Sequence, residues 1–150
     1  MRVALLASLA AALGICSAAA NATTTRSDCA LRSTTIKGHK AVVYCGPATA
    51  SLHIGGKTYT FKNGTCIWSG GLILALGTQV NGAPASTNNE GASLIQLSGS
   101  VGTGTVYAYA ARFNLGMSLI TLTTHGHSSG TFRGREPIGA TRRFTGSYHC

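Results

Sequence analysis

What this sequence has least of is acid: 3 of its 150 residues are Asp or Glu, against 12 Lys plus Arg. That scarcity removes whole classes of chemistry. Asp28, Glu90 and Glu136 lie far apart, so the paired carboxylates of a glycoside hydrolase have no local pattern to rest on. A Ser-His-Asp triad is likewise short of its orienting acid. No C-x-x-C pair occurs, which takes away the usual opening of a zinc site. Charged residues make up 10% of the chain against about 25% in ordinary soluble domains, which excludes a charged disordered tail or a long solvated helix. Beyond the first 20 residues no apolar run approaches the about 20 residues of a membrane-spanning helix; Leu72 to Leu76 is the longest. No stretch keeps a 3.6-residue period, and no internal repeat stands out.

What is present begins with an export signal. Met1 and Arg2, the apolar Val3 to Ile15 and the small residues Ala18 to Ala20 form its three parts, so residues 1–20 are expected to be removed. Residues 21–39 are expected as a polar tether and 40–150 as a single β domain. Leu13-Gly14-Ile15-Cys16 offers an alternative, in which Cys16 is the lipid-modified residue of a lipobox. The expected location is therefore secreted or at the cell surface, with lipid anchoring through Cys16 as the alternative and no transmembrane segment in the mature chain. Without residues 1–20 the chain carries 11 Lys plus Arg against the same 3 acids, a charge of +8.

Setting Cys16 aside leaves Cys29, Cys45, Cys66 and Cys150, an even set in an exported chain, and two disulfides follow. Four cysteines allow three connectivities; the expected one pairs Cys29 with Cys45 and Cys66 with Cys150. The chain has 20 Gly without a triplet period, which excludes collagen and suits turns. Thr49 to Ile54 and Lys57 to Phe61 flank Gly55-Gly56, a two-residue hairpin signal. Asn63-Gly64 reads as a second turn and Gly116 as a third. Leu72 to Gln79 reads as a strand buried on both faces, and residues 81–92 as a mobile loop. The expected fold is all-β: an antiparallel sandwich or barrel of seven to nine short strands, disulfide-stapled.

Two segments carry a resemblance. Ser51-Leu52-His53-Ile54-Gly55-Gly56-Lys57-Thr58-Tyr59-Thr60-Phe61, running into Gly64-Thr65-Cys66, and the terminal Phe144-Thr145-Gly146-Ser147-Tyr148-His149-Cys150 resemble small exported actinobacterial proteins. They are similar to the mycobacterial lipoprotein antigen family. The resemblance implies a Gly-rich β domain at the envelope or secreted from it, without catalysis, and it supplies no active-site residues. Cys29 and Cys45 depart from that family's pattern.

Three constellations are candidates for chemistry. His125-Gly126-His127 would place two imidazoles on one face of a strand, with His149 as a third metal ligand, although no acid lies near in sequence to orient them. Tyr107, Tyr109 and Phe113 alternate, either as a stacking platform or as core. Arg133, Arg135 and Arg143 would share one outward face if the last two strands are neighbours, making a positive strip for anionic polymers. The competing reading of that charge is solubility. The expectation is a non-enzymatic envelope or extracellular protein that needs no cofactor and meets anionic envelope polysaccharide or lipid, with no specific nucleic-acid partner. The alternatives are a metal-binding protein or small metalloenzyme using His125 and His127, and a secreted inhibitor or toxin presenting residues 81–92.

Overall fold

The structure is a computed structural model that describes residues 31–36, 38–81, 92–111, 113–137 and 142–150. Ten strands run in chain order: β1 Arg32–Ile36, β2 His39–Val43, β3 Ala48–Ile54, β4 Lys57–Trp68, β5 Leu72–Val80, β6 Leu94–Ser100, β7 Thr103–Ala110, β8 Phe113–His125, β9 Ser129–Arg135 and β10 Arg143–His149. All pair antiparallel along the order β1-β2-β5-β4-β3-β10-β9-β8-β7-β6, and β6 pairs back onto β5. Strands β3 to β10 thus close an eight-stranded barrel. Closure at this strand number leaves an interior that side chains alone can fill. Phe61, Leu52, Leu74, Leu97, Phe132 and Phe144 fill it, each at most 2% exposed. The outward positions of the same strands are largely Thr, Ser, Arg and His, the reverse of a membrane barrel's apolar outside.

Of the two architectures expected, the barrel is the one formed; its eight strands lie within the expected seven to nine, and the β1–β2 hairpin adds two more outside it. The addition lies at the start. Arg32–Ile36 folds back on His39–Val43, and Ala41 to Val43 pair with Val80 to Thr78 of β5, so pairing begins inside the stretch read as a tether. This hairpin covers the outer side of β5–β7, where Leu94, Tyr109 and Ala92 are buried beside Ile36, Tyr44 and Val80. The rest of the tether, the export segment with Cys16, and most of the expected 81–92 loop lie outside the described residues.

Two expected turns are bulges. Gly55-Gly56 turns the β3–β4 hairpin as read, both residues having positive φ (57° and 73°), but Asn63 and Gly64 lie within β4. Asn63 takes φ 60°, and the β3 register shifts beside it. Gly64 is required there because a side chain would strike the Ala75 carbonyl and Leu76. Gly116 (φ 65°) lies within β8 where the β7 register shifts between Ala108 and Tyr109. An Asn-Gly or lone Gly signals a positive φ, which a bulge satisfies as well as a turn. Leu72–Val80 is also not buried throughout: Ile73 is 50% exposed.

Long-range ties hold both barrel ends. At one, Cys66 and Cys150 form the expected disulfide (Cα–Cα 5.6 Å). Beside it Trp68 Nε1 donates to the His127 carbonyl (2.8 Å) and its ring stacks on the imidazole at 4.8 Å. Cys45 is also disulfide-bonded; Cys29, its expected partner, lies outside the described residues. At the other end Tyr59 stacks on Phe113 (4.3 Å), and Glu136 holds Arg142 through two 2.8 Å hydrogen bonds.

Two buried tyrosines, Tyr109 under the β1–β2 hairpin and Tyr148 in the barrel core, make the fold sensitive to alkali. Tyr109 Oη donates to the Thr78 carbonyl (2.6 Å) and accepts from Val80 N–H (3.1 Å). Burial raises its pKa above the ordinary 10.0, against the Val80 bond, which pulls it down. Burial alone raises that of Tyr148, whose hydroxyl has no hydrogen-bond partner. A phenol with a raised folded-state pKa stabilises the fold fully below the unfolded value and loses that contribution as pH climbs through the folded one. Thermal midpoints are therefore expected to hold between pH 7 and 9 and fall above about pH 10. Tyr109→Phe combined with Tyr148→Phe should flatten that fall, and an unchanged alkaline limb in the double variant would refute the assignment.

Candidate functional site

The outer wall of β8–β9–β10–β3 is built by cross-strand rows. His53, Thr145, Arg133 and Thr121 form one row, and Ser51, Ser147, Thr131 and Thr123 the next. Arg135 lies directly opposite Arg143, so the strip predicted from alternation is assembled on adjacent strands with all three arginines exposed. Directly opposed like charges stand about 5 Å apart at Cβ and cost stability unless an anion offsets them. Glu136 is the one carboxylate side chain among the described residues, and Arg142 occupies it. That pairing raises the Arg142 pKa, first through the hydrogen bond and then through the charge of Glu136. The wall around the strip is hydroxyl-rich and shallow: Ser51 and Ser147 bond to each other (3.0 Å), and His53 Nδ1 lies 3.1 Å from Thr58 Oγ1.

The histidine constellation does not assemble as expected. β8 ends at His125, and Gly126 (φ 62°) opens the turn, so the two imidazoles do not share a strand face. His127 is held on Trp68 instead. His125 and His149 lie across β9 from one another, both in register with Ser129. Among the described residues no three His, Cys, Asp or Glu are grouped to hold a metal ion.

The aromatic trio also separates. Phe113 begins β8 and faces the barrel interior, while Tyr109 lies under the β1–β2 hairpin, edge-on to Tyr107 at 5.8 Å. No sugar or base could lie across all three.

A G-x-S-x-G elbow was not expected from the sequence, yet its spacing occurs once. Gly126-His127-Ser128-Ser129-Gly130 has G-x-S-x-G spacing. A nucleophile elbow needs a strand-to-helix turn; here the segment turns between two strands, and Ser128 Oγ bonds only the His125 carbonyl, at 3.5 Å. The spacing is a hairpin's glycine usage.

A second feature had no sequence signal. Where the chain 44–47 crosses the outer wall to reach β3, a groove of about 830 Å³ opens between it and β4–β8. Leu31, Pro47, Ile67, Ile73, Tyr107 and Met117 line it. Its residues come from eight separate segments, which local periodicity does not connect.

The described residues contain no helix long and apolar enough to cross a membrane, and the Cys66–Cys150 bond is the chemistry of an oxidising compartment outside the cytoplasm. Compared with protein-family models, curated proteins and solved structures, the chain matches none, so its surface chemistry is what a functional reading has to rest on.

Proposed function

We propose that this is an exported, non-enzymatic protein that binds anionic polymers of the cell envelope through the outer wall of β8–β10. The observation that carries the reading is the Arg135–Arg143 pair, with Arg133 two residues along on the same face, set where the one described carboxylate side chain is already taken by Arg142. The filled interior supports a surface binder over a carrier with an internal cavity. The export signal and the resemblance to the mycobacterial lipoprotein antigens favour an envelope or extracellular location, with Cys16 as an anchor in the lipidated form.

Each arginine at an anionic surface contributes about 1 kcal/mol. Dextran sulfate is therefore expected to bind at about 150 mM salt, and Arg133→Gln/Arg135→Gln/Arg143→Gln to weaken it about a hundredfold. Retained affinity in the triple variant would make the charge a matter of solubility.

A further inference from the structure

The apolar groove and the arginine pair lie on one continuous track. Ile67 pairs with Ile73, which pairs with Ser98, then Thr105, then Leu119. The β8–β9 register carries the row on to Arg135 and Arg143. Met117, at the groove's edge, precedes Leu119 by two residues, about 7 Å along the strand, and Arg135 is one strand spacing of about 5 Å beyond. Met117 and Leu119 are 70% and 77% exposed, and Ile67 and Ile73 about half. So large an unburied apolar set in a small soluble barrel marks a binding surface.

Five polar side chains along the track are already engaged with one another. Ser98 Oγ and Thr105 Oγ1 bond each other at 3.0 Å. Tyr44 Oη donates to Gln79 Oε1 (2.8 Å), and Gln96 Nε2 donates to both oxygens (3.1 and 3.2 Å). An occupant therefore meets hydrocarbon along the groove and cations at its end. A volume of about 830 Å³ falls in the about 300–1,000 Å³ range of small-ligand sites. A polysaccharide would use the arginines but would leave the isoleucines and Met117 in water. A cationic amphiphile would be repelled.

We infer that the groove holds the hydrocarbon chain of an anionic amphiphile, with its headgroup on Arg135 and Arg143. The inference rests on the proposed anion site and names the ligand class it serves. The probe is dodecyl phosphate kept monomeric, titrated into the disulfide-intact protein beside dodecyltrimethylammonium, dextran sulfate and phosphatidylglycerol vesicles. Dodecyl phosphate should saturate one site and bind at least about tenfold more tightly than the ammonium amphiphile. Ile73→Ser/Met117→Ser, at positions already half or more exposed, should weaken dodecyl phosphate about tenfold and leave dextran sulfate unchanged. Arg135→Gln/Arg143→Gln should weaken both.

Equal affinity of the Ile73/Met117 variant for dodecyl phosphate, equal affinity for the two headgroups, or binding to vesicles without binding to the monomer would each overturn the inference. Dodecyl phosphate binding that needs the arginines, in a protein indifferent to dextran sulfate, would support it and overturn the polymer reading alone.

Discussion

Gly146→Ala should lower the unfolding free energy by about 3 kcal/mol, the upper end of what overpacking a core costs. The added methyl would strike the Phe132 ring and lie 2.5 Å from the Ser51 carbonyl oxygen, so it meets a ring on one side and backbone on the other. The cause is a device repeated through the β9–β10 hairpin. Phe132 is in register with Gly146, Phe144 with Gly134 and Tyr148 with Gly130, and each ring lies over the glycine opposite it. Three aromatics reach the axis of a narrow barrel because their cross-strand partners have no side chain. Phe132→Leu should recover part of the loss in Gly146→Ala, with a coupling above about 0.5 kcal/mol in a double-mutant cycle read by urea unfolding. Thr145→Ala, one residue away on the outer wall, should change stability by less than about 0.5 kcal/mol. Indistinguishable urea midpoints for Gly146→Ala and Thr145→Ala would refute this account of the core.

That device also shows how far the sequence could be read. Inward Phe144, Gly146 and Tyr148 alternate with outward Arg143, Thr145, Ser147 and His149, so period-two patterning identified β10, its faces and the arginine strip. Gly55-Gly56 was legible because two adjacent residues with positive φ between β-branched runs have one common use, a tight hairpin. Asn63 and Gly116 were misplaced because a bulge and a turn need the same backbone freedom, and only the register of a partner strand separates them. β1 was hidden by composition: Arg32 to Thr35 are all exposed, so no apolar alternation announced a strand that is held by backbone pairing to β2. His127 was misassigned for a similar reason, since its partner Trp68 is 59 residues away. The groove is the extreme case. It exists where the consecutive strands β4 to β8 make one wall and the distant chain 44–48, Leu31 and Cys150 are brought over it, and neither charge nor period along the chain encodes that.

The disulfide predicts the largest single loss. Cys66→Ala/Cys150→Ala should cost about 4.5 kcal/mol on the chain-entropy model, given a sequence separation of 84. Typical domains have only about 5–15 kcal/mol in total, and a loss of that size corresponds to about 15 °C in Tm for a domain of this length. The bond's place in the barrel adds a local consequence. It ties the residue after β10 to β4, two strands away in the sheet order, while Cys150 N–H donates to the Ser128 carbonyl (2.7 Å) and Trp68 holds the same β8–β9 turn through His127. Without the disulfide, amide exchange should rise first at Cys150 and the 126–128 turn, whose remaining ties are the Cys150–Ser128 hydrogen bond and the contacts of Trp68 with His127. The opposite end, held by the Tyr59–Phe113 stack and the Glu136–Arg142 pair, should keep its protection until global unfolding. A double-alanine variant melting within about 3 °C of the parent would contradict the loop-closure argument. Uniform loss of protection at both ends would show instead that the barrel opens as one cooperative unit.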